Sequence, residues 1–150
     1  MQHTLLRPKI FPMLLCAAAL QLSPARAADP AVPAAPAHPI VGSWNWTLFG
    51  GKCTETFQYR ANGTMLSTSG DAVTEWIYTV TPQASEKGFY KVVETSTKQN
   101  GKKDCSGDVV DEPGTAHTRF IQFSPARDRF LVCKAESLAA CFGPLSRTQW

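Results

Sequence analysis

The chain has 150 residues, with 15 basic and 12 acidic side chains, a formal charge of +3 and five cysteines. This length fits a single domain, and the weak charge does not provide the dense basic patch of a nucleic-acid-binding protein. Both the basic excess and the odd cysteine lie in residues 1–27, which contain three basic residues, no acidic residue and Cys16. The remainder is neutral and has an even set of four cysteines.

Residues 1–27 have the three parts of a secretory signal peptide. A basic start precedes an apolar run from Ile10 to Leu22, and Ala25-Arg26-Ala27 supplies the small residues of a cleavage site. The apolar run is shorter than the roughly 20 residues that span a bilayer. We therefore predict cleavage near Ala27, a periplasmic or secreted location, and no stable membrane insertion.

Residues 28–39 form a linker rich in proline and alanine. Its four prolines recur at every third position, which favours an extended and semi-rigid tether. The predicted folded domain covers residues 40–150. A domain of this size can build a core but gains stability from crosslinks.

The predicted elements begin with a strand in which Trp44, Trp46 and Leu48 alternate with polar residues. A second strand, from Lys52 to Arg60, is followed by the tight-turn pair Asn62-Gly63. The later predicted strands are rich in β-branched and aromatic residues. They are Met65 to Ser69, Val73 to Val80, Phe89 to Thr97, Thr115 to Ser124, Arg129 to Ala135 and Leu145 to Trp150.

The spacing of these strands predicts an all-β fold. Only residues 136–140 are compatible with a helical turn, and residues 99–114 form a long polar connection. Short strands joined by tight turns favour an antiparallel up-and-down barrel of about eight strands, with a β-sandwich as the alternative.

Gly42-Ser43-Trp44 on the first strand and Arg147 on the last strand resemble the lipocalin and calycin group. The resemblance covers residues 40–150 and is nearest to the short lipocalin-like domains of exported bacterial proteins. It implies a closed barrel whose floor is formed by Trp44, with Arg147 packed across the indole in a cation–π contact. It also implies that a ligand would bind in the barrel interior.

The four remaining cysteines predict two disulfides, for which three pairings exist. We favour Cys53–Cys105, which would fix the long connection to the second strand, and Cys133–Cys141, which are close in sequence. No two of these cysteines have the short spacing of a structural zinc site or of a Cys-x-x-Cys redox pair. A metal site is therefore not predicted.

The second strand places Glu55 on the same face as two aromatic residues. If that face is inward, the carboxylate needs a partner, which Arg119 or Arg147 could provide. The candidate ligand-binding residues of the barrel interior are Trp46, Glu55, Phe57, Tyr59 and Arg119.

Other reactive groups do not form a recognisable catalytic set. His117 is the sole imidazole of the predicted domain, is expected at the surface or rim, and has no nucleophile motif beside it. The acidic residues Asp104, Asp108, Asp111 and Glu112 do not match a calcium-binding loop. Glu75 and Glu94 could face either side of their strands. No catalytic residue and no cofactor are predicted.

The sequence predicts an exported, non-enzymatic binding protein for a small apolar or amphiphilic ligand. The alternative is an envelope protein that acts on a protein partner, as an inhibitor or assembly factor, through a filled barrel without a ligand. In that case the contact would be a strand edge or the connection formed by residues 99–114.

Overall fold

A computed structural model describes residues 37–48, 50–109 and 112–148. The predicted signal peptide and residues 28–36 of the predicted linker lie outside these ranges. The described residues form eight β-strands and no helix, so none of them belongs to a helix that could cross a membrane. The strands are β1 (Gly42–Thr47), β2 (Thr54–Tyr59), β3 (Thr64–Ser69), β4 (Ala72–Val80), β5 (Tyr90–Gln99), β6 (Ala116–Phe123), β7 (Arg129–Cys133) and β8 (Cys141–Arg147).

The strands form one closed antiparallel barrel in which each strand pairs with the next and β8 pairs with β1. The predicted eight-stranded up-and-down barrel is confirmed, and the sandwich alternative is wrong. Closure gives every strand two neighbours, so that only short stretches such as residues 116–119 lack a partner on one side.

The last strand differs from its predicted bounds. It begins at Cys141 instead of Leu145 and runs through Gly143-Pro144, a pair whose composition is typical of a chain break. Opposite residues pair as Phe130 with Leu145 and as Val132 with Phe142, so β8 carries one extra residue there. This β-bulge keeps Phe142 and Leu145 on the same face although they are three residues apart. Residues 136–140 form bends and a turn instead of a helical turn.

The two ends of the barrel are referred to below as the floor and the mouth. The floor carries residues 37–41 and the turns β2–β3, β4–β5 and β6–β7. The mouth carries the connections β1–β2, β3–β4, β5–β6 and β7–β8. The buried apolar cluster includes Ile40, Trp44, Ile121, Phe130 and Leu145, most of it in the floor half.

Both predicted disulfides are confirmed, and both lie at the mouth. Cys53–Cys105 joins the β1–β2 connection to the β5–β6 connection, and Cys133–Cys141 joins the two ends of the β7–β8 connection. Two disulfides are compatible with an exported protein in an oxidising compartment.

The barrel is least regular around the mouth-side half of β7 and β8. The pairing of β6 with β7 covers only Phe120–Phe123, so the four residues before it have no partner on that side. The pairing of β1 with β8 covers only two residue pairs, Trp44 with Arg147 and Asn45 with Ser146. The tip of the β7–β8 hairpin therefore diverges from both neighbouring strands.

Candidate functional site

The floor is closed by residues from both ends of the described chain. Trp44 is fully buried and its Nε1 donates to the carbonyl of Ile40 at 2.7 Å. The guanidinium carbon of Arg147 lies 4.1 Å from the centroid of the Trp44 ring. The same guanidinium donates to the carbonyls of Val41 at 3.0 Å and Pro39 at 2.6 Å. Arg147 therefore fixes the N-terminal segment across the indole, as the lipocalin resemblance implies.

The N-terminal segment also contributes a side chain to the floor. His38 packs edge-on against Tyr90, with ring centroids 4.9 Å apart, and its Nδ1 accepts from the amide of Ile40 at 3.1 Å. Burial lowers the pKa of His38. His38 lies in the predicted linker, but its contacts are those of a core residue. The Trp44 ring therefore has no exposed surface that a ligand could contact.

The mouth-side half of the interior has a different composition. Its aromatic rings are only half-buried or exposed, and they include Trp46, Phe57, Trp76 and Phe142. Trp46 contacts Phe142 with ring centroids 4.9 Å apart, and the indole Nε1 of Trp76 donates to Ser67 Oγ at 2.9 Å. These rings provide apolar surface that the core does not cover.

A polar cluster lies midway along the interior. The Tyr59 hydroxyl, itself buried, donates to Glu94 Oε1 at 2.6 Å. Burial raises the pKa of Glu94, while the Tyr59 hydrogen bond and the charges of Arg119 and His117 oppose that rise. Burial likewise raises the pKa of Tyr59 well above its usual range. The cluster separates the packed floor from the more open mouth.

A second carboxylate, Glu55, lies nearer the mouth and is only 9 % exposed. Its Oε1 accepts from Ser69 Oγ at 2.5 Å, and Ser69 Oγ in turn accepts from the amide of Cys105 at 3.0 Å. Burial raises the pKa of Glu55, the Ser69 bond lowers it, and the nearby charge of Asp104 raises it. Ser69 thus links Glu55 to the disulfide-bonded β5–β6 connection.

Two cavities open near these groups. One, of about 130 Å³, is lined by the Glu55 carboxylate, aromatic rings and small polar side chains; its residues are Glu55, Phe57, Ser67, Ser69, Ala72, Thr74, Trp76 and Asp104. We call it the Glu55 cavity. The other, of about 310 Å³, lies beside the β7–β8 hairpin and is lined by Arg119, Val132, Cys133, Lys134, Ala140, Cys141 and Phe142.

The predicted site residues are divided between the mouth-side half of the interior and the polar cluster. Trp46, Glu55 and Phe57 lie in the mouth-side half, while Tyr59 and Arg119 belong to the polar cluster around Glu94. Neither predicted arginine pairs with Glu55, because Arg147 stacks on Trp44 and Arg119 acts on Glu94.

Four further residues of the site were not predicted from the sequence. Trp76, Glu94, His117 and Phe142 all face the interior, and the ring of His117 lies 5.9 Å from that of Trp76. Tyr90, Val92 and Glu94 are at alternate positions of one strand and therefore face the same side, which could have placed Glu94 in the interior. Because Val93 on the other side is also apolar, the inward face was ambiguous. Phe142 could not be placed, because the bulge that turns it inward leaves no clear signal in the sequence.

The acidic side chains outside the barrel interior have structural or solvent-exposed roles. In residues 37–48, 50–109 and 112–148, no three histidine, cysteine or acidic side chains are grouped to hold a metal ion. Asp104 Oδ1 accepts from the amides of Ser106 and Asp108 at 2.8 and 2.9 Å, which stabilises the turn it begins. Glu75 faces outward and lies 3.9 Å from Lys98. Asp111 lies outside the described residues.

Comparisons with models of known protein families, with curated proteins and with solved structures find no match to this chain.

Proposed function

We propose that the protein is an exported, non-enzymatic binding protein of lipocalin-like type that holds a small amphiphilic molecule in the mouth-side half of its barrel. The observation that carries this proposal is the unequal burial of aromatic rings inside one barrel. Trp44 at the floor is fully buried, whereas Trp46, two residues further along the same face of β1, is only half-buried.

The chemistry of the mouth supports an amphiphilic ligand. The half-buried rings offer apolar contact, Glu55 offers charge or a hydrogen bond beside them, and Glu94 and Arg119 offer the same midway along the interior. Binding sites for small molecules combine apolar walls with a few such polar groups.

The volume of the Glu55 cavity limits the size of the ligand group that can enter it. The Glu55 cavity has about 130 Å³, which corresponds to roughly four water molecules and is below the range for drug-sized ligands. A polar group of a few atoms fits there. The apolar part of the ligand would then lie against Trp46 and Phe57 at the mouth.

Native mass spectrometry of the oxidised protein purified from its host would test the proposal. We expect a co-purifying small molecule, and saturable binding of the uncharged fluorescent probe N-phenyl-1-naphthylamine. Trp46→Ala should weaken probe binding at least about tenfold, because the ring would supply a large share of the apolar contact. Ile77→Ala is the control, since Ile77 is 53 % exposed on the outer face. Absence of both a co-purifying molecule and probe binding would contradict the proposal.

A second function, contact with an envelope protein, is favoured by one observation. The backbone of residues 116–119 is unpaired on its β7 side, and such an edge can accept a strand from a partner. A photoreactive residue at Thr118, which is exposed, should then give a discrete crosslinked species in the host envelope. The same residue at Ile77, which is exposed on β4 and paired on both sides, should not. Identical labelling at both positions would reject this second function.

A further inference from the structure

The Glu55 cavity contains a buried acid without a basic partner. Within the described part of the chain, the hydrogen-bond donor to the Glu55 carboxylate is Ser69, and no Lys or Arg forms an ion pair with it. Burying a carboxylate is costly unless it is protonated or meets a positive charge. Glu55 is therefore equipped to bind a positive group that enters the cavity.

The walls of the cavity fit the same kind of group. Phe57 and Trp76 line it, and aromatic rings attract cations through the negative charge of their faces. The hydrogen bond from Trp76 Nε1 to Ser67 Oγ holds the indole in place. The remaining lining side chains are small or hydroxyl-bearing, apart from Asp104, so the residues that line the cavity include no basic side chain.

The β5–β6 connection adds a second negative charge. Asp104 lines the cavity, and its charge acts on Glu55. The position of this connection is fixed by the Cys53–Cys105 disulfide and by the bond from the Cys105 amide to Ser69 Oγ. Two carboxylates from separate elements thus approach one aromatic-walled space.

Building on the function proposed above, we infer that the Glu55 cavity binds the ammonium group of a small organic cation, so that the amphiphilic ligand is cationic. The volume of about 130 Å³ accepts an ammonium group with a few carbon atoms. The ammonium would contact Glu55 and the rings of Phe57 and Trp76, with Asp104 contributing longer-range attraction.

Titration of the oxidised full chain with tetramethylammonium chloride, followed by tryptophan fluorescence and calorimetry at constant ionic strength, tests this inference. We expect saturable binding of tetramethylammonium and no binding of neopentyl alcohol, a neutral molecule of similar shape. Glu55→Gln should weaken binding at least about tenfold, because it removes the charge and keeps the shape. Glu75→Gln, on the outer face of β4, should leave affinity unchanged.

Two further variants test the same site if Glu55→Gln fails to fold. Asp104→Asn should weaken binding by about threefold, and Trp76→Leu by about fivefold, since each removes a weaker attraction. Equal binding of the neutral molecule, or unchanged affinity in Glu55→Gln, would overturn the inference. If tetramethylammonium fails to bind while the uncharged probe still binds at Trp46, the cationic specificity is wrong and the proposed amphiphile-binding function stands. If both fail and no small molecule co-purifies, the inference and the proposed function are both wrong.

Discussion

The floor and the mouth of this barrel use similar residues with different results. At the floor, Trp44 is enclosed by Arg147, Phe130 and the N-terminal segment, and nothing of its ring remains exposed. At the mouth, Trp46 and Phe142 touch each other and still face solvent. The floor is stabilised by packing, whereas the mouth is held by two disulfides. Crosslinks can hold an end of a barrel together without filling it, which leaves space for a ligand.

Trp44→Ala should produce the largest loss of stability. Removing a fully buried indole leaves a cavity and should cost about 3–5 kcal/mol in the free energy of unfolding. Trp46→Ala, the matched change at the half-buried position, should cost about 1 kcal/mol. Urea unfolding of the oxidised proteins measures both. Equal losses would show that the floor and the mouth are packed alike.

Removal of the disulfides should produce the next largest effect. In the chain-entropy model, replacing Cys53 and Cys105 by alanine costs roughly 4 kcal/mol, and replacing Cys133 and Cys141 roughly 2.5 kcal/mol, because their sequence separations are 52 and 8. Both double variants should keep the floor intact, so that adding Trp44→Ala to either of them still lowers the free energy of unfolding by about 3–5 kcal/mol. A much smaller loss in either background would mean that the floor depends on the mouth.

Gly42→Ala should have a smaller but specific effect. Gly42 has φ of +138°, and a Cβ there would collide with Arg147 Nη1. We expect a loss of about 2 kcal/mol from backbone strain together with displacement of the guanidinium. Gly107→Ala is the control, since Gly107 has φ of +89° and open space around it, and should cost about 1 kcal/mol. Similar losses in the two variants would mean that the Arg147 contact contributes little.

The smallest effect should be a change in pH dependence. The folded state raises the pKa of Glu94, so its protonated form is favoured, and that stabilisation is lost as pH rises through the folded pKa. Glu94→Gln keeps an acceptor for the Tyr59 hydroxyl and should melt at a higher temperature than the wild type at pH 7. The difference should shrink towards pH 4.

Melting curves from pH 4 to pH 8 provide the measurement for Glu94. Glu75→Gln, which alters an exposed side chain, should show no pH-dependent gain. A constant difference between Glu94→Gln and the wild type would show that folding does not raise the pKa of Glu94.

Much of the architecture was predictable because strand alternation and turn residues are local properties. The strand count and the antiparallel barrel follow from such patterns, and the observed cysteine pairing is the one we favoured among the three that the sequence allows. The start of β8 was not predictable, since Gly143-Pro144 has the composition of a chain break and forms a bulge instead.

The interior of the mouth was harder to predict than the fold. Glu94 was ambiguous because Val92 and Val93 are both apolar, and its contact with Tyr59 joins residues 35 positions apart. The role of Asp104 depends on how the β5–β6 connection folds over the β3–β4 turn. The two segments are so close that a Cβ atom added at Gly70 would lie 3.2 Å from the backbone of Asp104. Long-range placement of this kind is set by tertiary packing and leaves no periodic signal.

The contact between Arg147 and the carbonyl of Val41 joins residues 106 positions apart. The seven connections between successive strands can form as local hairpins, but this closure needs both ends of the chain. Closing so long a loop has a large entropic cost, and contacts of high sequence separation slow folding. Barrel closure should therefore be the last step of folding, and a chain lacking its final strand should remain an open, aggregation-prone sheet.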